Sequence, residues 1–556
     1  MSSVIKKFRK ARPPAMGKHP GFGPRTEVIG NVLIERDVAV EISGSRKLYA
    51  DVFRPKHSQA VPAIVCYAPF GKHPHLEIGE RWAGCDIPFD KISKQTPFEV
   101  FDPIRWAEEG FAVCVVDALG NWYSEGKATF FSPEEARAGY DVVEWFGRQP
   151  WCSGRIGWGG VSYYGMTAWA VAALQPPHLA AILPWDAASD VYRECFFSGG
   201  IPSAPLIHNW MLVTGFGTDE VEDMEAALHD HPLFDEYWQE RVADWGKIQV
   251  PTYAVTEWSN NLHLRGTLEA WKRIGSKDKF LDINGGKEWA EFYSEWAFER
   301  QRAFFGQYLK GENNGVAGWT PVRIALRRND QTWTFRDEAT WPLPDVRYVP
   351  LYLDASDGSL REAPQSETSV TKYNATALNA ASIFDFCFDR ATEITGNVKL
   401  RIWLAADLAN DADVFVAIEK VGLNGETIPF VYSQMYNDGP GAFGWLRASH
   451  RELDEGASTP CQPVHRHTRR LWLTHLEPVA MEIEIWPTNI VFESGETLRL
   501  IIKGSEVHIV PGAEFAIRHW PLHNDGHHLI HTGGVYDSHL LIPVIPTRQR
   551  ESGNNQ

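Results

Sequence analysis

No stretch of this chain approaches the roughly 20 uninterrupted apolar residues that a membrane helix requires, so no spanning segment is expected. No apolar run follows the first methionine either, and a cytoplasmic location is expected. The cysteines are few, seven in 556 residues, scattered from Cys66 to Cys461 with no CxxC pair. That spacing argues against a disulfide framework and a thiolate zinc site and fits structural thiols in a reducing compartment. No phosphate loop or dinucleotide fingerprint follows the first strand, so no nucleotide cofactor is expected. Basic residues are outnumbered, giving a formal charge of -17, and apart from Lys6–Arg12 they do not cluster, which argues against a nucleic-acid surface. Low-complexity tracts are missing too, and 44% hydrophobic with 22% charged residues is a globular composition with material for several domains.

What is there is organised around Arg155-Ile156-Gly157-Trp158-Gly159-Gly160-Val161-Ser162-Tyr163-Tyr164-Gly165-Met166. A short apolar run with glycines, one serine and then the breaker-free Met166–Leu174 read as strand, sharp turn and helix, the sequence form of a nucleophile elbow. Gly160 and Gly165 allow the close backbone approach that exposes the Ser162 hydroxyl, and the N–H of Tyr163 can face a developing oxyanion.

Around the elbow, Ala63–Ala68 and Phe111–Asp117 are apolar on both faces, as central parallel strands must be. With Ala180–Trp185, Thr252–Thr256 and Lys279–Ile283, and helical patterns between them, they predict an α/β fold with a doubly wound sheet over residues 35–185 and 250–312. Residues 1–34, rich in proline and glycine, are expected to be an irregular lead-in. Residues 186–249 turn aromatic and helical, including Asp219–Leu228 and Phe234–Trp245, and predict a helical cap over the carboxyl ends of the strands, where ligands bind. Gly311–Gly315 reads as a linker, and the period-two strands beyond it predict an all-β jelly-roll sandwich over residues 318–550.

Gly160-x-Ser162-Tyr163-x-Gly165, preceded by Gln149–Gly157, resembles the cocaine esterase and X-Pro dipeptidyl-peptidase (S15) superfamily. The C-terminal half is similar to that family's jelly roll at Gly444–Arg451, Phe492–Leu500 and His531–Gly534. The resemblance implies an α/β-hydrolase fold and a serine nucleophile served by an aspartate and a histidine from two later loops. Here the aspartate loop resembles Glu257-Trp258-Ser259-Asn260, so Asn260 stands where a carboxylate is implied. The histidine loop resembles Asn284–Trp289 and holds no histidine; the oxyanion tyrosine falls at Phe70, which has no hydroxyl; and Leu119 replaces an arginine.

A serine hydroxyl needs a base to take its proton. His263, three residues beyond Asn260, is the first candidate, with Glu288 as its orienting group or as the base itself if burial raises its pKa. A capping or core role is the alternative for His263, and a surface ion pair with Lys287 is the alternative for Glu288. His208 in the cap is a weaker candidate. Asp186 and Asp190 follow a strand and could line the site, although Asp190 reads as a helix cap. His527, His528 and His531 look like a metal cluster by count but lack a carboxylate at fixed spacing, and no metal is expected. Trp82, Trp122, Tyr123, Tyr163, Tyr164, Phe196, Phe197 and Trp258 fall in loops expected to converge on an aromatic pocket.

Three functions fit these features. The first is a serine hydrolase that cleaves an ester, amide or thioester of a bulky hydrophobic small molecule through an acyl-enzyme on Ser162. The second keeps fold and pocket but performs acyl transfer, cyclisation or carbon–carbon cleavage in secondary metabolism. The third is an inactive binding protein, disfavoured by the intact elbow. Fold analogy also allows a homodimer.

Overall fold

The computed structural model describes residues 4–57, 59–74, 84–508 and 518–546. Its first unit is an 11-stranded sheet. In chain order the strands are β1 (Arg25–Ile29), β2 (Val32–Ile42), β3 (Arg46–Pro55), β4 (Val61–Ala68), β5 (Ala112–Asp117), β6 (Cys152–Val161), β7 (Leu179–Trp185), β8 (Thr252–Glu257), β9 (Lys279–Asn284), β10 (Val322–Arg327) and β11 (Trp333–Glu338). Their order across the sheet is β11-β10-β9-β8-β7-β6-β4-β5-β3-β2-β1. β5, β4, β6, β7, β8, β9 and β10 run parallel, and antiparallel strands flank them at both edges.

The apolar runs account for the middle of this order. β4, β5 and β8 are buried along their whole length, which only side chains apolar on both faces tolerate. Helices cover the sheet, among them α1 (Pro133–Gly147), whose N-cap Ser132 accepts from the Glu135 N–H at 3.1 Å and whose first residue is proline. Register then fixes the site. Val161 pairs with Trp185, Trp185 with Val255, and Val255 with Asp282, so the residues that follow these strands emerge along one sheet edge.

Three expectations are corrected. The lead-in is not irregular throughout, because β1 lengthens the sheet as an edge strand and Phe8–Lys10 pairs with Glu220–Glu222 of the cap. Asp219–Leu228 is therefore not one helix; the helix is Met224–Asp230, capped by Asp223, and a strand precedes it. The Gly311 linker does not separate the domains, since β10 and β11 lie beyond it and still extend the hydrolase sheet.

The second unit is one continuous 12-stranded sheet rather than two separate layers. Its 15-residue strand Thr392–Ala406 pairs with Val479–Phe492, His527–Thr532 and His539–Ile545, bending at a bulge between Gly396 and Val398. One long bent strand thus serves both sides and closes the sheet around a core that includes Leu400, Ile402, Ile483, Leu500 and Ile530. No helix among the described residues is long and apolar enough to cross a membrane.

The loop after β4 is held by a buried charge network. The fully buried Lys72 ammonium lies 2.7 Å from Asp37 and 3.2 Å from Asp117, and the Lys72 N–H donates to the other Asp117 oxygen at 2.9 Å. Removing the cation strands these carboxylates in a low dielectric. Lys72→Met is expected to lower the unfolding free energy by roughly 3–5 kcal/mol, read from urea denaturation. A loss under about 1 kcal/mol, the size of a surface pair, would contradict this role.

Candidate active site

At the end of β6 the chain turns into α2 (Tyr163–Ala173) through Ser162, at φ 57° and ψ -118°. This sparsely populated conformation costs about 1–3 kcal/mol and persists because its surroundings over-determine it. The Ser162 N–H donates to the Trp185 carbonyl at 2.9 Å, and the Ser162 carbonyl accepts from the Met166 N–H at 2.8 Å. Both elbow glycines are required sterically. A Cβ on Gly160 would lie 2.7 Å from the Tyr164 Cβ, and one on Gly165 would lie 2.9 Å from the Ala187 Cβ.

Ser162 is half-buried and lines a cavity of about 70 Å³. The walls are Phe70, Phe131, Tyr163, Met166, Cys195 and Phe196, with Leu206, Ile207 and Trp210 from the cap helix α3 (Ala204–Thr214), and Leu262 and His263 from the loop after β8. Tyr163 is the first residue of α2, so the helix's own ladder leaves its N–H unsatisfied beside the serine. Its phenol donates to Glu135 at 2.8 Å, fixing the ring against Phe131 at a centroid distance of 4.5 Å. Phe70 contributes a ring to the cavity wall and, lacking a hydroxyl, no side-chain donor.

His263 shares this cavity with Ser162. The ring is 2% exposed, Nδ1 is buried without a partner, and no described hydrogen bond engages Nε2. Burial, assisted by the Arg518 charge, pushes its pKa down to about 3, so the imidazole is neutral at ordinary pH. Its position is set through the backbone: the His263 N–H donates to Asn260 Oδ1 at 2.8 Å, immediately before helix α4 (Leu264–Arg273).

Asn260 is fully engaged. Its Oδ1 also accepts from the Leu262 N–H at 3.0 Å and from Gln434 Nε2 at 3.1 Å, and its Nδ2 donates to Glu257 at 2.8 Å and Glu288 at 3.3 Å. Glu288 opens the short helix α5 (Glu288–Phe292) and is 1% exposed, whereas Lys287 turns away to Asp86 at 2.6 Å. The Glu288–Lys287 surface pair is therefore not formed. Asp186, Glu257 and Glu288 bring carboxyl oxygens within 4.8 Å of one another, the one such grouping of metal-ligating side chains among the described residues. The all-oxygen donor set suits a hard cation, but the Asn260 amide hydrogens already point at two of the three carboxyls. Glu99 stands close by, taking a 3.1 Å hydrogen bond from Trp289. Burial raises Asp186 to about 6 and lifts Glu257, Glu288 and Glu99 well above the carboxylate range, with repulsion from Asp186 adding to the shift of the three glutamates. The three glutamates hold protons at neutral pH, and Asp186 is the member of the group that ionises first.

The remaining expected site residues lie elsewhere. His208 is on the outer face of α3, its side chain 60% exposed and bonded to Glu225 at 2.6 Å. Trp122 is buried against Phe216 and donates to the Pro69 carbonyl, Tyr123 stacks on Phe22, and Trp258 donates to the Ala325 carbonyl beside Trp341. Tyr164 sits behind Phe70, and none of these four lines the Ser162 cavity. Trp82 lies outside the described residues. Asp190 accepts from the Arg193 N–H at 3.2 Å, a local cap. His527 bonds Asp407 and His528 bonds Tyr373, so these two ring nitrogens have protein partners. Sequence reasoning missed Glu99, Glu257 and Gln434. Glu257 carried a signal, a charge ending an otherwise apolar strand; the other two carried none.

The S15 X-Pro dipeptidyl-peptidase model matches residues 44–224, and the model of the X-Pro dipeptidyl-peptidase C-terminal non-catalytic domain matches residues 314–541. A CocE/NonD family hydrolase from Staphylococcus aureus aligns at 35% identity and TM-score 0.90, over 96% of this chain and 98% of that one. The chain belongs to the cocaine esterase and X-Pro dipeptidyl-peptidase superfamily. Within that superfamily it is a hydrolase. Cocaine esterase from Rhodococcus sp. (strain MB1 Bresler) is 25% identical over 420 residues, 64% of this chain and 68% of that protein. An α-amino acid ester hydrolase at 15% identity and TM-score 0.69, over 94% of this chain and 98% of that one, shares the fold.

The carboxyl cluster makes stability depend on pH. An acid whose folded-state pKa is raised binds its proton more tightly when folded, so its stabilising contribution is complete below about pH 4 and is lost as pH rises toward the folded pKa. The loss is about 1.4 kcal/mol per pH unit per group. Glu288→Gln mimics the protonated acid, so its melting temperature should rise relative to wild type between about pH 5 and pH 8. A gap between the two proteins that stays constant over this range would show that Glu288 is not held neutral.

Proposed function

We propose that this hydrolase cleaves carboxylic esters of compact apolar acyl groups through an acyl-enzyme on Ser162, with His263 as general base. One observation carries the reading: Ser162 and His263 line the same apolar cavity at the elbow. His263 takes the hydroxyl proton as Ser162 attacks, and the Tyr163 N–H meets the oxyanion. His263 then returns the proton to the leaving alcohol, and water hydrolyses the acyl-enzyme by the same route. Thioesters and amides of similar acyl groups have the same geometry available, with the amide the harder leaving group.

The walls favour an ester over an X-Pro peptide. Among the cavity-lining residues His263 is the one ionisable polar group besides the Cys195 thiol and the Tyr163 phenol, and no carboxylate is present to receive a peptide ammonium. Glu288 is not the base in this reading, because it does not line the cavity and already carries a proton at neutral pH. The His263 ring has no acid partner. In serine proteases loss of the triad acid lowers kcat by about 10⁴, so slow turnover of activated esters is expected.

Incubation with a fluorophosphonate probe should add one phosphonyl mass to the wild type and none to Ser162→Ala. His263→Ala should label at least about 10²-fold more slowly, the size of a general-base contribution. The acid limb of kcat/KM should lie below about pH 5 rather than near the ordinary histidine value of about 6.5. Equal labelling of His263→Ala and wild type would overturn the assignment of the base.

A further inference from the structure

His263 presents a positioning problem. A catalytic imidazole is ordinarily oriented by a hydrogen bond to the ring nitrogen turned away from substrate. Here Nδ1 has no partner, so no bond to the ring fixes its direction. Orientation must come from the main chain, and the main chain at His263 is tied to Asn260 Oδ1. That oxygen is in turn approached by Gln434 from the C-terminal domain, at 3.1 Å.

Gln434 is built into place rather than resting there. It follows strand Phe430–Tyr432 and precedes strand Tyr436–Gly439, which pair with each other. Ser433 and Gln434 are consecutive non-glycine residues at φ 47° and φ 68°, the left-handed pair at the centre of the tight turn closed by the Met435 N–H on the Tyr432 carbonyl at 3.2 Å. The side chain reaches the loop after β8, and the Gln434 carbonyl accepts from the Glu288 N–H at 3.2 Å. One residue therefore touches both loops that follow β8 and β9. The same domain adds Ser433 Oγ to Asn261 Oδ1 at 3.5 Å, and the Arg518 guanidinium donates to the carbonyls of Asn261 and Glu194 and to Ser198 Oγ.

We propose that Gln434 is the positioning residue for His263, doing through the backbone what a triad acid does through the ring. The inference rests on His263 being the base proposed above, and it gives a catalytic consequence to a domain whose family description is non-catalytic. Withdrawing the Gln434 donor leaves Asn260 Oδ1 with two backbone donors and frees the 260–263 loop to shift against Ser162. A displacement of about 1 Å in a reacting pair costs on the order of 10²-fold in rate.

The test uses the full chain with p-nitrophenyl butyrate, comparing wild type, Gln434→Met, Gln434→Glu and His263→Ala, with folding followed by thermal melts. Gln434→Met keeps the volume and removes the donor. It should lower kcat by roughly 10- to 100-fold with KM changed less than about threefold. A loosened loop also admits water to His263. Arg518 is the charged group that bears on that ring, and it stays in place, so the acid limb of kcat/KM should move up toward about 6.5. Loss of folded protein alone would not shift that limb. Gln434→Glu should be impaired at about pH 8 and partly recover near pH 5, where a protonated carboxyl can donate to Asn260 again.

Gln434→Met with kcat within about twofold of wild type and an unmoved acid limb, beside an inactive His263→Ala, overturns the positioning role and leaves the base assignment standing. Wild-type turnover by His263→Ala overturns both. If Gln434→Met fails to fold, Gln434→Glu decides: recovery at low pH supports the role, and equal activity at both pH values relative to wild type overturns it.

Discussion

The side-chain amide of Asn260 is where the structure's constraints meet. Its oxygen takes three N–H donors and its nitrogen gives hydrogens to two buried carboxyls. A carboxylate in this position could accept as an aspartate does, but it would lose both donors and add a negative charge to Asp186, Glu257, Glu288 and Glu99. The amide is the group that caps the loop after β8 and faces a nest of acids at once. An amide at this position thus goes together with the donors and acids around it. The proton-holding glutamates, the loop that carries His263 and the contact with the C-terminal domain all depend on the two polar atoms of this one amide being correctly matched.

The site carries little charge. His263 is neutral, the glutamates behind it hold protons, and the cavity walls are apolar. Phe70, Phe196 and Trp210 make the walls beside Ser162 apolar, and a backbone donor at Tyr163 is stronger against such walls than in water. The cost would fall on an imidazolium at His263, which would have no counter-ion at Nδ1 and the Arg518 charge nearby. Such a site suits substrates with good leaving groups, for which proton transfer is a small part of the barrier.

The elbow was legible in the sequence because the constraint is local: Gly160, Ser162 and Gly165 answer to neighbours within a few residues or one strand away. The central parallel strands were legible because burial on both faces leaves an apolar run. Asn260 and Glu288 fall in the loops that follow β8 and β9. The carboxyl cluster was not legible, since Glu99, Asp186, Glu257 and Glu288 are far apart in the chain and an acid's protonation depends on surroundings that only the fold assembles. The pocket failed differently. Aromatic content pointed to an aromatic wall, but Trp122, Tyr123 and Trp258 make partners outside the cavity, while Leu206, Ile207 and Trp210 sit on the inner face of a helix whose His208 points outward. β1 and the pairing of Phe8–Lys10 were hidden by the prolines and glycines around them.

The strands β10 and β11 bear on how a ligand can enter. They belong to the hydrolase sheet yet lie beyond the Gly311 turn, and at the end of β10 the buried Arg327 guanidinium donates to the Asn489 carbonyl at 3.1 Å, Thr488 Oγ1 at 2.9 Å and the Gly441 carbonyl at 3.0 Å. Swinging the C-terminal domain aside would break these buried bonds, while β10 and β11 themselves belong to the hydrolase sheet. The residues that line the Ser162 cavity all come from the hydrolase unit and its cap, whose helix α3 forms one wall, so the cap and not the C-terminal domain borders the approach to the serine.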